Sequence, residues 1–289
     1  MNYSAPGPVS DSILQQQRDS IIFQLNLQYL NRVNEQGTPY ELISIIKEIL
    51  ALDSSYHNHW FNLGLEYLKI KEYEHALDAL SQGLERYPNK DNSTLVNIYI
   101  SISFCYHQTN RYQQEIEILD SASQIFPDHA GITGRYVINS HARVRYTEAA
   151  HYRNKLILLL RSEGYNESDI AYYLGRLYLN TDYLEAETYF RTAYQYDPGN
   201  IEKLGALAWV LIQNALKIDE GMALMEKAIE ADPDNPVLLH QLGYGYYMKG
   251  RHEDALIKLH TARDLYQQYS FELNKHIQMV ELAMAGKEE

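Results

Sequence analysis

Positions 76, 115, 149, 186, 221 and 255 of this 289-residue chain hold Ala, Glu, Ala, Ala, Gly and Ala, at separations of 39, 34, 37, 35 and 34 residues. All but Glu115 are small. Four residues after them come Leu80, Leu119, Phe190, Met225 and Leu259, with the third copy departing. A period of that size means one supersecondary unit is used repeatedly. Such a unit cannot bury its apolar face alone, so the copies must stack and share a core. This constraint excludes most single-core architectures before any local reading begins.

The content of each unit points to a pair of helices. In the first copy Leu63 and Tyr67 are four apart and share one helix face. Gly64 is small where a second helix crosses, and Ala76 answers it from that second helix. Pro88 cannot continue a helix and opens the turn to the next unit. The chain has only 15 Gly and 8 Pro, few breakers for its length, so helices joined by short turns are expected throughout. Its 26 Tyr against 6 Phe suit helix pairs whose packed faces end at water.

Trp60, Leu63, Gly64, Tyr67, Ala76, Leu80, Gly83 and Pro88 fall on the signature positions of the tetratricopeptide repeat, and the chain resembles that family. The pattern returns with Ile102, Ser103, Tyr106, Leu119, Ala122 and Pro127, with Leu174, Gly175, Tyr178, Ala186, Phe190, Ala193 and Pro198, and with Leu207, Ala208, Leu211, Gly221, Met225, Ala228 and Pro233. It closes with Leu242, Gly243, Tyr246, Ala255, Leu259 and Ala262. Repeat three keeps Tyr146-Thr147-Glu148-Ala149 but has lost the signature of its first helix. The resemblance implies an all-α fold, a right-handed α–α superhelix (a solenoid) of about six to seven helix pairs with a C-terminal capping helix.

The expected organisation is a single solenoid over 10–285 between tails at 1–9 and 286–289. It begins with a degenerate pair (10–54), in which Ile22, Leu25, Tyr29 and Val33 and then Leu42, Ile45, Ile46 and Ile49 recur at helix spacing. Repeats follow at 57–90, 96–128, 130–163, 168–199, 201–234 and 236–268. A capping helix at 271–285 carries Leu273, Ile277, Val280 and Met284. Asn89–Ser93 and Ser162–Asn166 read as loops, and the surroundings of Gln15-Gln16-Gln17 as disordered.

In the family the first helices line a concave face that holds peptides or helices of other proteins. The corresponding positions here give Phe61, Leu65, Ile100, Phe104, Tyr172, Arg176, Trp209, Tyr244 and Tyr247 as the partner-binding set. Aromatics with Arg are typical interface anchors. The alternative is that part of this lining is covered by the neighbouring repeat or by the chain ends. The Lys, Asn and Arg clamp of chaperone-binding members is absent, its places taken by Phe61, Leu65 and Ser101. An apolar or amphipathic segment is therefore the expected ligand.

No other chemistry competes for the chain. The net charge of −13 argues against nucleic acid and anionic membranes. No apolar run is long enough to insert in a membrane. Cys105 is the only cysteine, which excludes an internal disulfide and fits a reducing, cytoplasmic compartment. The 11 His lack metal-ligand spacing, and no nucleotide, cofactor or hydrolase motif occurs. Gly243-Tyr244-Gly245 sits inside a helix, where no phosphate cradle forms. The sequence thus predicts a non-catalytic, cofactor-free scaffold or adaptor. The competing readings are a structural subunit or homo-oligomer assembling through its terminal helices or convex face, and a regulator of an enzyme in trans.

Overall fold

The computed structural model describes residues 11–88 and 95–286. The expected tail at 1–9, the Asn89–Ser93 loop and all but the first residue of the C-terminal tail lie outside the described residues. Among the described residues there are fifteen α-helices and no strand. They are α1 (Asp11–Asn34), α2 (Pro39–Leu52), α3 (His57–Lys69), α4 (Tyr73–Arg86) and α5 (Val96–Gln108). Next come α6 (Tyr112–Ile125), α7 (Ala130–Ala142), α8 (Tyr146–Ser162), α9 (Glu167–Tyr178) and α10 (Tyr183–Tyr196). The last are α11 (Ile201–Gln213), α12 (Ile218–Ala231), α13 (Pro236–Met248), α14 (His252–Leu265) and α15 (Phe271–Ala285). The helices form two compact units, residues 1–105 and 106–289.

Several helices start and stop for identifiable local reasons. Before α9, α11 and α13 the chain uses a side-chain cap. Asn166, Asn200 and Asn235 accept hydrogen bonds from the first-turn amides of α9, α11 and α13. Asn200 and Asn235 also donate to Asp197 and Asp232, at 3.0 and 2.9 Å. In four of the pairs the stop between the two helices is a backbone motif. Lys71, Asn110, Val144 and Gly250 adopt φ of 60°, 57°, 59° and 72°. After α7, Val144 N–H donates to His141 and Arg145 N–H to Ser140, so the last carbonyls of the helix are satisfied by the left-handed turn. A β-branched residue is strained at that φ, and Val144 is 66% exposed, so no packing holds it there.

Helix pairs close where a side chain is missing. In the first unit a Cβ on Gly64 would lie 2.5 Å from Leu80, so α3 and α4 touch only because Gly64 has none. In the second unit a Cβ on Gly175 would lie 2.6 Å from the Phe190 ring, bringing α9 onto α10. Around these contacts Leu80, Leu174, Phe190, Leu211 and Leu259 are almost fully buried. At the C-terminal end Leu273, Ile277 and Val280 of α15 are 2%, 5% and 0% exposed and join the core of the last pair. Two expectations fail at the other end. Gln15–Gln17 lie within α1, a helix with no proline or glycine to break it. Val33, which recurs at helix spacing with Ile22, Leu25 and Tyr29, is 43% exposed and does not join their small core.

Glu115 stands on α6 where the other copies have a small residue, and it is fully buried. His107 Nδ1 lies 2.9 Å from its carboxylate, Asn139 Nδ2 donates at 2.9 Å, and the Arg135 guanidinium pairs with the other oxygen. A polar knot therefore replaces the small-residue contact, tying α6 to α7 and to the end of α5. Burial works to raise the Glu115 carboxyl, but the His107 hydrogen bond and the Arg135 charge outweigh it and hold the group below its ordinary value of 4.5. A depressed folded-state value means the stabilisation is complete well above pH 4.5 and is lost as pH falls through the folded value. Glu115→Gln strands the Arg135 charge and should cost about 3 kcal/mol at neutral pH. It should also flatten the acid limb of a urea-midpoint profile, and an unchanged profile would show the knot to be dispensable.

Candidate partner-binding site

The first helices of three successive pairs, α9, α11 and α13, supply the walls of one cavity of about 520 Å³. Tyr172 and Arg176 are four apart on α9, and Glu202 and Trp209 are seven apart on α11, so each couple shares a face. Val237 and Gln241 close the cavity from α13. Gly205 and Ala206 on α11 and Phe190 on α10 also line it.

The wall is held by specific contacts. Tyr172 Oη donates to Glu202 at 2.7 Å, joining α9 to α11. Burial and that hydrogen bond push the Tyr172 phenol well above its ordinary value. The Arg176 guanidinium stands 5.9 Å from the Tyr172 ring, within cation–π range, and Arg176 itself is exposed. Behind the wall, Lys203 is 5% exposed and bonds Asp169 at 2.8 Å and Asp197 at 3.0 Å. Burial opposes the Lys203 charge, but the two carboxylates prevail and raise it above its ordinary value. This bracket fixes α11 against the start of α9.

Tyr244 and Tyr247 form a second group. The Trp209 and Tyr244 rings meet edge to face at 5.6 Å, and Tyr247 lies 6.1 Å beyond Tyr244. The other side of Tyr244 is stacked on His276 of α15 at 4.4 Å. His276 Nδ1 is also 2.9 Å from His240 Nε2, so one imidazole donates and the other accepts. The closing helix thus covers part of the aromatic row. His276 belongs to no repeat position, and the repeat pattern gave no signal for it.

The remaining members of the sequence-derived set lie in the first unit. Phe61 is 8% exposed, and its ring occupies the space a Cβ on Gly83 would need, so it serves the core of its own pair. Leu65 is 38% exposed. Ile100 and Phe104 are half-buried, with Tyr73 edge-on to Phe104 at 5.7 Å. A second cavity of about 450 Å³ in this unit is lined by Trp60, Tyr67, His75 and Lys47 instead. Cys105 is fully buried. Among the described residues no helix is long and apolar enough to cross a membrane, and no cluster of three or more His, Cys, Asp or Glu is placed to hold a metal.

Residues 59–90 and 224–257 each match a family model of the tetratricopeptide repeat. No curated protein matches the sequence. Among solved structures, a tetratricopeptide repeat protein from Parabacteroides merdae is similar with a TM-score of 0.51 at 14% identity, over 90% of this chain and 98% of that one. MamA is similar with a TM-score of 0.44 at 17% identity, over 53% of this chain and 85% of that one. YrrB, described as a TPR protein with an unusual peptide-binding site, gives 0.38 at 20% identity, over 70% of this chain and 99% of that one. The first of these likenesses shows a shared fold.

Burial of His240 against His276 should make this contact with the closing helix sensitive to acid. Burial first, and the neighbouring His276 second, push His240 down to about 4, with Glu272 opposing. A histidine lowered in the folded state favours folding above its ordinary value of 6.5, and that support is lost as pH falls from there toward 4. His240→Gln should therefore reduce the stability lost between pH 6.5 and 4, by up to about 3 kcal/mol. Denaturant midpoints across that range read the effect, and parallel profiles for the two proteins would refute it.

Proposed function

Because this chain belongs to the tetratricopeptide repeat proteins, we propose that it is a non-catalytic scaffold that holds a segment of another protein against α9, α11 and α13. Repeats of this kind make protein-interaction scaffolds. The observation that carries the finer reading is the cavity lined together by Tyr172, Arg176 and Trp209. Trp, Tyr and Arg are the residue types that dominate interface energetics. They stand here on helices, so no backbone ordering is needed to present them to a partner.

The chemistry of the wall supports one ligand class. Apolar surface from Trp209, Leu179 and Val237 takes an apolar anchor, while Arg176, Glu202 and Gln241 border it with polar groups. An amphipathic helix or short peptide with one bulky apolar side chain satisfies both. Arg176 favours an acidic group beside that anchor. In the first unit Leu65, Ile100 and Phe104 are proposed as contacts of the same kind, on the same helix positions. Phe61 is left out, being taken up by its own pair.

Selection from a displayed library of random peptides tests this. Enriched peptides should share a bulky apolar residue, and Trp209→Ala should weaken them by roughly tenfold or more. Arg176→Glu, at an exposed residue that leaves the core intact, should weaken the acidic ones similarly. Peptides that bind both variants as tightly as wild type would move the site elsewhere.

A further inference from the structure

α1 has 24 residues, whereas α2, on which it packs, has 14. Ile22, Leu25 and Tyr29 face α2 and share a small core with Ile45 and Ile49. From Ser12 to Ile21 every residue is exposed. These are ten successive exposed helical positions. A helix segment of that length is marginal in water on its own.

The face opposite the core has a pattern of its own. Ile13, Gln16, Ser20, Phe23, Leu27, Leu30 and Asn34 alternate at spacings of three and four, the seam of a coiled coil. Its apolar members Ile13, Phe23, Leu27 and Leu30 are 47%, 60%, 41% and 55% exposed. We propose that this seam is where two copies of the chain pair, their α1 helices antiparallel across a two-fold axis.

Charge selects the occupant. The chain carries a net −13, so two copies repel over most of their surfaces. The seam holds no charged residue. Of the flanking Gln17, Asp19, Gln24, Asn26, Asn31 and Val33, only Asp19 is charged. This is a face on which a second acidic copy meets no local like-charge repulsion, and it offers a basic partner almost nothing to bind.

The seam is also complementary to itself. In one antiparallel register Ile13 faces Leu30, Gln16 faces Leu27 and Ser20 faces Phe23 of the second copy. Each contact then occurs twice, as two-fold symmetry requires. Small Ser20 makes room for bulky Phe23, and Asp19 falls opposite Asn26 with no like-charge pair. The contact orders the overhanging part of α1 on both copies at once.

Sedimentation velocity of the full chain, from low micromolar to near-millimolar concentration, tests the pairing. The mass should rise from 33.6 kDa toward twice that value. The Phe23→Glu/Leu27→Glu double variant should remain at 33.6 kDa throughout with unchanged helicity. Ser20→Glu, which removes no apolar contact with α2, should act in the same direction. Leu184→Glu, at a residue 68% exposed on α10, should dimerise like wild type. A wild-type chain that stays monomeric overturns the pairing and leaves α1 to a helix of another protein. Seam variants that associate as wild type overturn it too.

Discussion

The structure depends on one close approach, made again in successive pairs. In these pairs a first helix lies closely on its second helix where one of them has almost no side chain. Gly64 against Leu80 and Gly175 against Phe190 show how little space remains, since an added Cβ would fall 2.5 and 2.6 Å from its neighbour. In the fifth repeat the roles are exchanged. A Cβ on Gly221 of α12 would lie 2.8 Å from the carbonyl of Ala208 on α11. Once the small positions face inward, helical geometry decides the rest. Tyr172, Arg176 and Trp209 sit on the same first helices and must point to a different side. The packing constraint and the candidate site are consequences of one periodicity.

Much of this was legible in the residues, because a close approach leaves a signature at fixed spacing. Ala76, Ala186 and Ala255, with Pro88 and Pro198 after the first and fourth repeats, locate the helix pairs of repeats one, four and six. What the period could not reveal is whatever does not recur. Glu115 occupies a small-residue position yet is buried, because His107, Arg135 and Asn139 supply partners from elsewhere in the sequence. Phe61 holds a groove position by spacing, but the Gly83 notch draws its ring inward. His276 shapes the aromatic row from a helix outside the repeats. Each is a tertiary effect between residues with no common register.

The departures from the repeat mark where the chain specialises. Repeat three lacks the first-helix signature and carries a β-branched Val144 in a left-handed turn, where the last repeat uses Gly250. The two ends also differ in kind. α15 buries Leu273, Ile277 and Val280 and closes the stack with its apolar face turned in. α1 buries only part of its apolar surface and keeps an uncharged seam outward.

The most direct test of the central claim, that partner segments dock on the first helices of the last three pairs, is a hydrogen-exchange footprint of the full chain with a bound peptide ligand. Slowed exchange concentrated in α9, α11 and α13, with α10, α12 and α14 changed little, is the expected result. Protection confined to those second helices, or to α1, would contradict the claim.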